Sequence, residues 1–152
     1  MDELIIYWKK YISGIENWQS IIKGITPKQT GCGPLYELPN LPDRPNESFA
    51  IADMRNIKYV EQHYHTNGDT EIQFVLQGSG LMVNNGVEER IVKGSVIVIP
   101  PEVAYFIIIE HDLVVAAINT PPFKPEDYIV VKESNTRVGF DKRQFERLKG
   151  GI

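Results

Sequence analysis

The stretch His63–Gly78, HYHTNGDTEIQFVLQG, decides the reading of this chain. His63 and His65 stand two residues apart, and side chains alternate faces along a strand, so both imidazoles point the same way. Glu71 and Gln73 repeat the spacing. Between the pairs lies Thr66-Asn67-Gly68-Asp69, whose Asn-Gly is a hairpin-turn signal because both residues tolerate positive φ. Two neighbouring strands then aim two imidazoles and a carboxylate at one point. That is the composition of a two-histidine, one-carboxylate metal centre, which leaves positions on the ion open for substrate or water. The alternative is a solvated hairpin with two surface histidines, but a hairpin wet on one face should carry more charge on both strands.

The order of these residues resembles the first motif of the cupin superfamily, G(x)5HxH(x)3-4E(x)6G. His63, His65 and Glu71 fall on its ligand positions, and Gly78 closes it. Five residues separate His65 from Glu71, and Ile57 stands where the leading glycine belongs. The second motif, G(x)5PxG(x)2H(x)3N, has a partial counterpart in Gly94 and Pro100, after which Glu102 replaces the second glycine, Ile109 the asparagine and Tyr105 the fourth ligand. A phenol is a poor ligand near neutral pH but a good hydrogen-bond donor and a possible general acid. Three roles for Tyr105 stay open: phenolate ligand, donor to substrate or water, and core aromatic.

The resemblance implies an all-β fold, a single double-stranded β-helix of the jelly-roll type over residues 48–120 rather than a double barrel. It implies one divalent transition metal ion at His63, His65 and Glu71; nitrogen and oxygen ligation admits zinc, manganese, iron or nickel. Cupins with these ligands include dioxygenases, isomerases, decarboxylases and lyases, so one expectation is a metal-dependent enzyme with Tyr105 and Gln73 beside the ion. The other is a module that binds a small molecule without obligatory metal or chemistry. Alternation turns Gln73 inward beside Glu71, toward a ligand or to satisfy Tyr105 or a backbone group.

Composition agrees with one globular domain: 152 residues, 42% hydrophobic and 24% charged. A net charge of −4 without clustered Lys and Arg excludes a nucleic-acid surface or an anionic-membrane surface. A lone cysteine, Cys32, forms no internal disulfide and suits a reducing, cytoplasmic setting, where it reads as a loop or buried thiol. The first residues read as no secretory signal, and no apolar run is long enough to span a membrane.

Residues 1–47 read as an N-terminal helix and a connector. Leu4, Trp8, Tyr11, Ile15, Trp18 and Ile22 form an amphipathic stripe, interrupted at Gly14, that packs outside the barrel or on a second subunit. From Gly24 to Asn46 five prolines predict irregular chain. The spacing then predicts strands over 48–54 and 58–65, a long strand bent at Gly78-Ser79-Gly80, a turn at Asn84-Asn85-Gly86, and strands over 88–92, 95–99, 105–109 and 113–119. His111-Asp112 reads as a surface turn. Residues 121–152 form an extension with an edge strand over 128–132 and a short helix capped by Asp141, with Gln144 as in a capping box, Phe145 and Leu148 as its apolar face and Gly150 as its stop. Strand edges and the tryptophan stripe predict a homodimer.

Overall fold

The fold turns on two long strands that run antiparallel and bend together. In the computed structural model, which describes residues 17–39 and 45–150, they are Thr70–Asn84 and Tyr105–Thr120, paired along nearly their whole length. Numbered in chain order, the strands are β1 (Lys28–Thr30), β2 (Gly33–Leu38), β3 (Ser48–Asp53), β4 (Tyr59–His65), β5 (Thr70–Asn84), β6 (Val87–Val92), β7 (Val96–Ile99), β8 (Tyr105–Thr120) and β9 (Tyr128–Val130). The first half of β5 pairs with β7 and its second half with β6, while β8 pairs with β4 near its start and β3 near its end. One ribbon thus serves both faces of the barrel.

The bend lies where β5 and β8 slip in register, between Val75 and Gly80. Gly78 has φ +78, and a Cβ there would stand 2.2 Å from the His111 carbonyl oxygen and 2.3 Å from that of Asp112. Only glycine lets the two backbones approach so closely. Here the structure corrects the predicted break at His111-Asp112. The two strands expected on either side are one, because the bulge absorbs Asp112 at φ +38 without ending the ladder.

A second correction concerns the proline-rich connector. Lys28–Thr30 and Gly33–Leu38 form a tight hairpin around Gly31-Cys32, and β2 adds to β3 from Leu35 onward. Pro34 precedes that ladder, so its missing N–H removes none of the β2–β3 bonds.

The barrel interior packs Val60, Val75, Ile99, Ile107, Leu113 and Val115, all nearly fully buried. Each such side chain contributes about 1.5–3 kcal/mol of burial. Outside the barrel, helix α1 (Trp18–Ile22), capped by the Asn17 side chain, lays Trp18 on Ile51, Val114 and Ala116. The Trp18 indole N–H donates to Gln77 Oε1 at 2.9 Å, and the Arg55 guanidinium lies 5.0 Å from its ring centre. The rest of the predicted N-terminal stripe, Leu4 to Ile15, lies outside the described residues. Helix α2 (Lys142–Lys149) starts at Asp141, whose carboxylate accepts from the Gln144 N–H. The Gln144 side chain does not close a capping box but donates to the Gly86 carbonyl, tying α2 to the β5–β6 turn. Phe145 and Leu148 pack on Val83, Phe106 and Ile108. Among the described residues no helix is long and apolar enough to cross a membrane.

Candidate active site in the barrel

Strand β4 carries His63 and His65 to the inner wall. Its ladder with β8 slips between Val60 and His63. In that bulge the Glu61 carbonyl is free to accept from His63 Nδ1 at 2.7 Å. A carbonyl only accepts, so Nδ1 bears the proton and Nε2 keeps a lone pair. His63 is fully buried between the rings of Tyr128 and Tyr105, 4.0 and 4.1 Å away. Burial, and then the neighbouring His65, push its pKa down to about 3. It is a neutral imidazole at any ordinary pH.

Two residues on, His65 Nδ1 meets Asp69 Oδ2 at 2.9 Å and Glu71 Oε2 at 3.4 Å, with the rings of His63 and His65 5.3 Å apart. Burial alone would lower its pKa, but the bond to Asp69 and the charges of Glu71, Asp69 and Asp127 outweigh it and raise the value. The Asn67-Gly68 turn, with φ of 63 and 65, brings Asp69 back beneath the imidazole. Asn119 Nδ2 donates to both Asp69 oxygens at 3.1 and 2.9 Å and fixes the carboxylate in place.

Glu71 lies across from the histidines on β5. Gln73 Nε2 donates to its Oε1 at 2.9 Å and the Tyr105 hydroxyl to its Oε2 at 3.1 Å. Burial and the Glu71 charge raise the Tyr105 pKa well above its ordinary value, so the phenol keeps its proton and donates. Four buried atoms here have no partner within the chain: His63 Nε2, His65 Nε2, Gln73 Oε1 and the Tyr128 hydroxyl. Among the described residues no group of three or more His, Cys, Asp and Glu side chains is disposed to hold a metal ion.

A cavity of about 280 Å³ opens on this cluster. His65, Glu71, Gln73, Tyr105 and Asn119 line its polar end, and Leu35, Met54, Val115 and Phe123 its apolar wall. The β1–β2 hairpin brings Cys32 and Gly31 to the cavity, where Tyr128 also reaches it. Burial, and then the charge of Glu71, push the Cys32 thiol up to about 12, so it stays protonated. A Cβ on Gly31 would lie 2.6 Å from the Tyr128 hydroxyl, so the hairpin is packed directly on that ring.

All five residues singled out in the sequence thus meet in one cluster, with the hydroxyl of Tyr105 on Glu71. His111 is exposed at the bulge within β8, away from the cavity. Asp69, Asn119 and Tyr128 belong to the cluster and carry no signal in either motif. Asp69 reads as a turn residue until the fold shows where the turn places it.

A family model for Cupin matches residues 44–133. The chain belongs to the cupin family. Among solved structures similar to this cupin are a Streptomyces PAC13 variant with uridine and a protein from Planctomyces limnophilus. The first has 13% identity and a TM-score of 0.61, over 73% of this chain and 88% of that one. The second has 24% identity and a TM-score of 0.61, over 71% and 91%. A predicted oxalate decarboxylase from Thermotoga maritima matches at 22% identity and a TM-score of 0.54, over 66% and 96%. PAC13 is described as a nucleoside dehydratase. At these identities the likeness shows the fold of this cupin. No curated protein matches its sequence.

Proposed function

We propose that this cupin is a small-molecule enzyme acting in the barrel cavity, with His63, His65 and Glu71 holding one divalent transition metal ion. The observation that carries the reading is the pair of histidines. Both Nε2 atoms are buried without a partner, while each Nδ1 is anchored, one to a carbonyl and one to a carboxylate. Metal-bound imidazoles are held in this way, the outer hydrogen bond setting the tautomer and raising ligand basicity. The donor set fits zinc, manganese, iron or nickel. When bound, such an ion supplies Lewis acidity to a substrate oxygen.

The remaining work falls to the chain. Asp69, held by Asn119, keeps the His65 proton on Nδ1. Gln73 and Tyr105 fix the Glu71 carboxylate between two donors, and the Tyr105 hydroxyl keeps a proton within reach of the cavity. Gln73 Oε1 is an open acceptor for a substrate O–H or N–H. The apolar wall excludes water from the other side of a bound molecule. Similar cupins described as a nucleoside dehydratase and a predicted oxalate decarboxylase support small-molecule chemistry in such a barrel.

A second reading, a cupin that binds a small molecule without obligatory metal, is favoured by one observation. Both Glu71 oxygens already accept hydrogen bonds, and among the described residues no group of three or more His, Cys, Asp and Glu side chains is arranged for an ion. Elemental analysis of the purified protein, followed by turnover assays before and after chelation, separates the two. The first reading expects a stoichiometric ion that His63→Ala loses, with activity that disappears on chelation. Full metal content in His63→Ala overturns the ligand assignment; ligand binding indifferent to chelation supports the second reading.

A further inference from the structure

The β4 bulge that keeps Val60 in the barrel core and His63 in the site sends Gln62 elsewhere. Gln62 is 3% exposed, and neither its amide oxygen nor its amide nitrogen has a partner. It lines a second cavity, of about 230 Å³, between β4, β9 and helix α2. Val130, Val131, Phe140 and Phe145 form apolar walls there. A buried carboxamide with both ends unsatisfied is costly, and native chains rarely keep one idle.

We propose that this cavity is a second binding site, for a small neutral molecule that presents an N–H donor beside a carbonyl acceptor: the edge of a primary carboxamide, a lactam or a nucleobase. The Gln62 carboxamide offers one acceptor and two donors in a plane, and such an edge pairs with both at once. Phe140 and Phe145 provide flat apolar surface for the rest of the ligand. Charge at the rim disfavours anions. Glu61, Glu133 and Glu146 face Lys132 and Lys142, and Lys142 is already paired with Glu133. The site is separate from the barrel cavity: the two share no lining residue, and nothing in it depends on a metal ion.

The test is a titration of the full chain, labelled with nitrogen-15, with benzamide and 2-pyridone as probes. Acetophenone, which keeps the carbonyl and loses the N–H, and benzoate, which adds a charge, are the controls. Both probes are expected to shift the backbone amides of Val131 and Phe145 and the side-chain amide of Gln62. Both controls should bind at least about tenfold more weakly, because a site built to pair a donor rejects the analogue lacking it. Gln62→Leu should weaken benzamide by about tenfold or more while melting no lower than the parent, since it removes an unsatisfied buried amide. Phe140→Ala should weaken every probe and leave the preference for benzamide over acetophenone intact, which tests the site independently if Gln62→Leu folds poorly. Equal binding of acetophenone and benzamide overturns the proposal, as does benzamide affinity unchanged in Gln62→Leu. Shifts confined to Glu71, Gln73 and Asn119, or no shift at millimolar probe, also overturn it; Gln62 then holds water only.

Discussion

Tyr105 is the position at which this chain departs most informatively from the cupin pattern, and its surroundings narrow the roles open to it. The hydroxyl is buried, keeps its proton and donates to Glu71 at 3.1 Å. A phenolate ligand would require that proton to leave against both burial and the carboxylate. Tyr105→Phe keeps the ring, which packs 4.1 Å from His63, and removes only the donor. Losing one hydrogen bond to a buried carboxylate should cost about 1.5–3 kcal/mol of stability. Metal content should stay while turnover or ligand affinity drops, read by elemental analysis beside activity and calorimetric titration. A sharp loss of metal would show the phenol to be a ligand after all. A variant indistinguishable from the parent in metal, binding and activity would reduce Tyr105 to packing.

The bulges in β4 and β5 do more for the site than strand propensity does. Alternation places His63 and His65 on one face, but the slip between Val60 and His63 is what exposes the Glu61 carbonyl to the imidazole. In β5 the slip at Gly78 lets one ribbon close both faces of the barrel. Gly78→Ala must either move the β8 backbone at His111 and Asp112 or flip a left-handed residue. The strain should cost about 2 kcal/mol or more, seen as a lowered urea midpoint with an unchanged slope. A midpoint equal to that of the parent would mean that the strands part there at little cost. The paired strands were legible as alternating Val and Ile runs between turn residues. The β1–β2 hairpin was not, because prolines read as breakers and only the β3 edge in space makes Leu35 to Leu38 a strand.

For the molecule as a whole, two properties can be measured without knowing the substrate. Asp53, at the end of β3, accepts two hydrogen bonds from the Arg55 side chain at 2.8 Å, and these hold its carboxyl below the usual range against the opposing effect of burial. A carboxyl lowered on folding stabilises fully above the unfolded value and loses that contribution as pH falls through the folded one. Arg55→Met should therefore destabilise by about 1 kcal/mol near neutral pH, and the gap should close as pH drops below about 4. A gap that stays constant or widens in acid would assign the effect to the stacking of Arg55 on Trp18. The second property is assembly. Phe74, Val96 and Val98 leave an apolar strip on the outer face of β5 and β7, and β7 has no second neighbour among the described strands. A homodimer is the expected assembly, and a clean monomer mass in sedimentation at micromolar concentration would count against it. What the sequence determined by itself is what local chemistry carries: the strand periodicity, the Asn-Gly turns, the HxH and Glu spacing and the helix cap at Asp141 depend only on near neighbours. What only the tertiary structure decided is which distant groups meet. Asp69 and Asn119 lie fifty residues apart and Tyr128 sits beyond the matched motifs, yet the barrel stacks Tyr128 on His63 and sets Asp69, held by Asn119, on His65. A contact of that kind is set by strand order and register, and no periodicity along the chain encodes it.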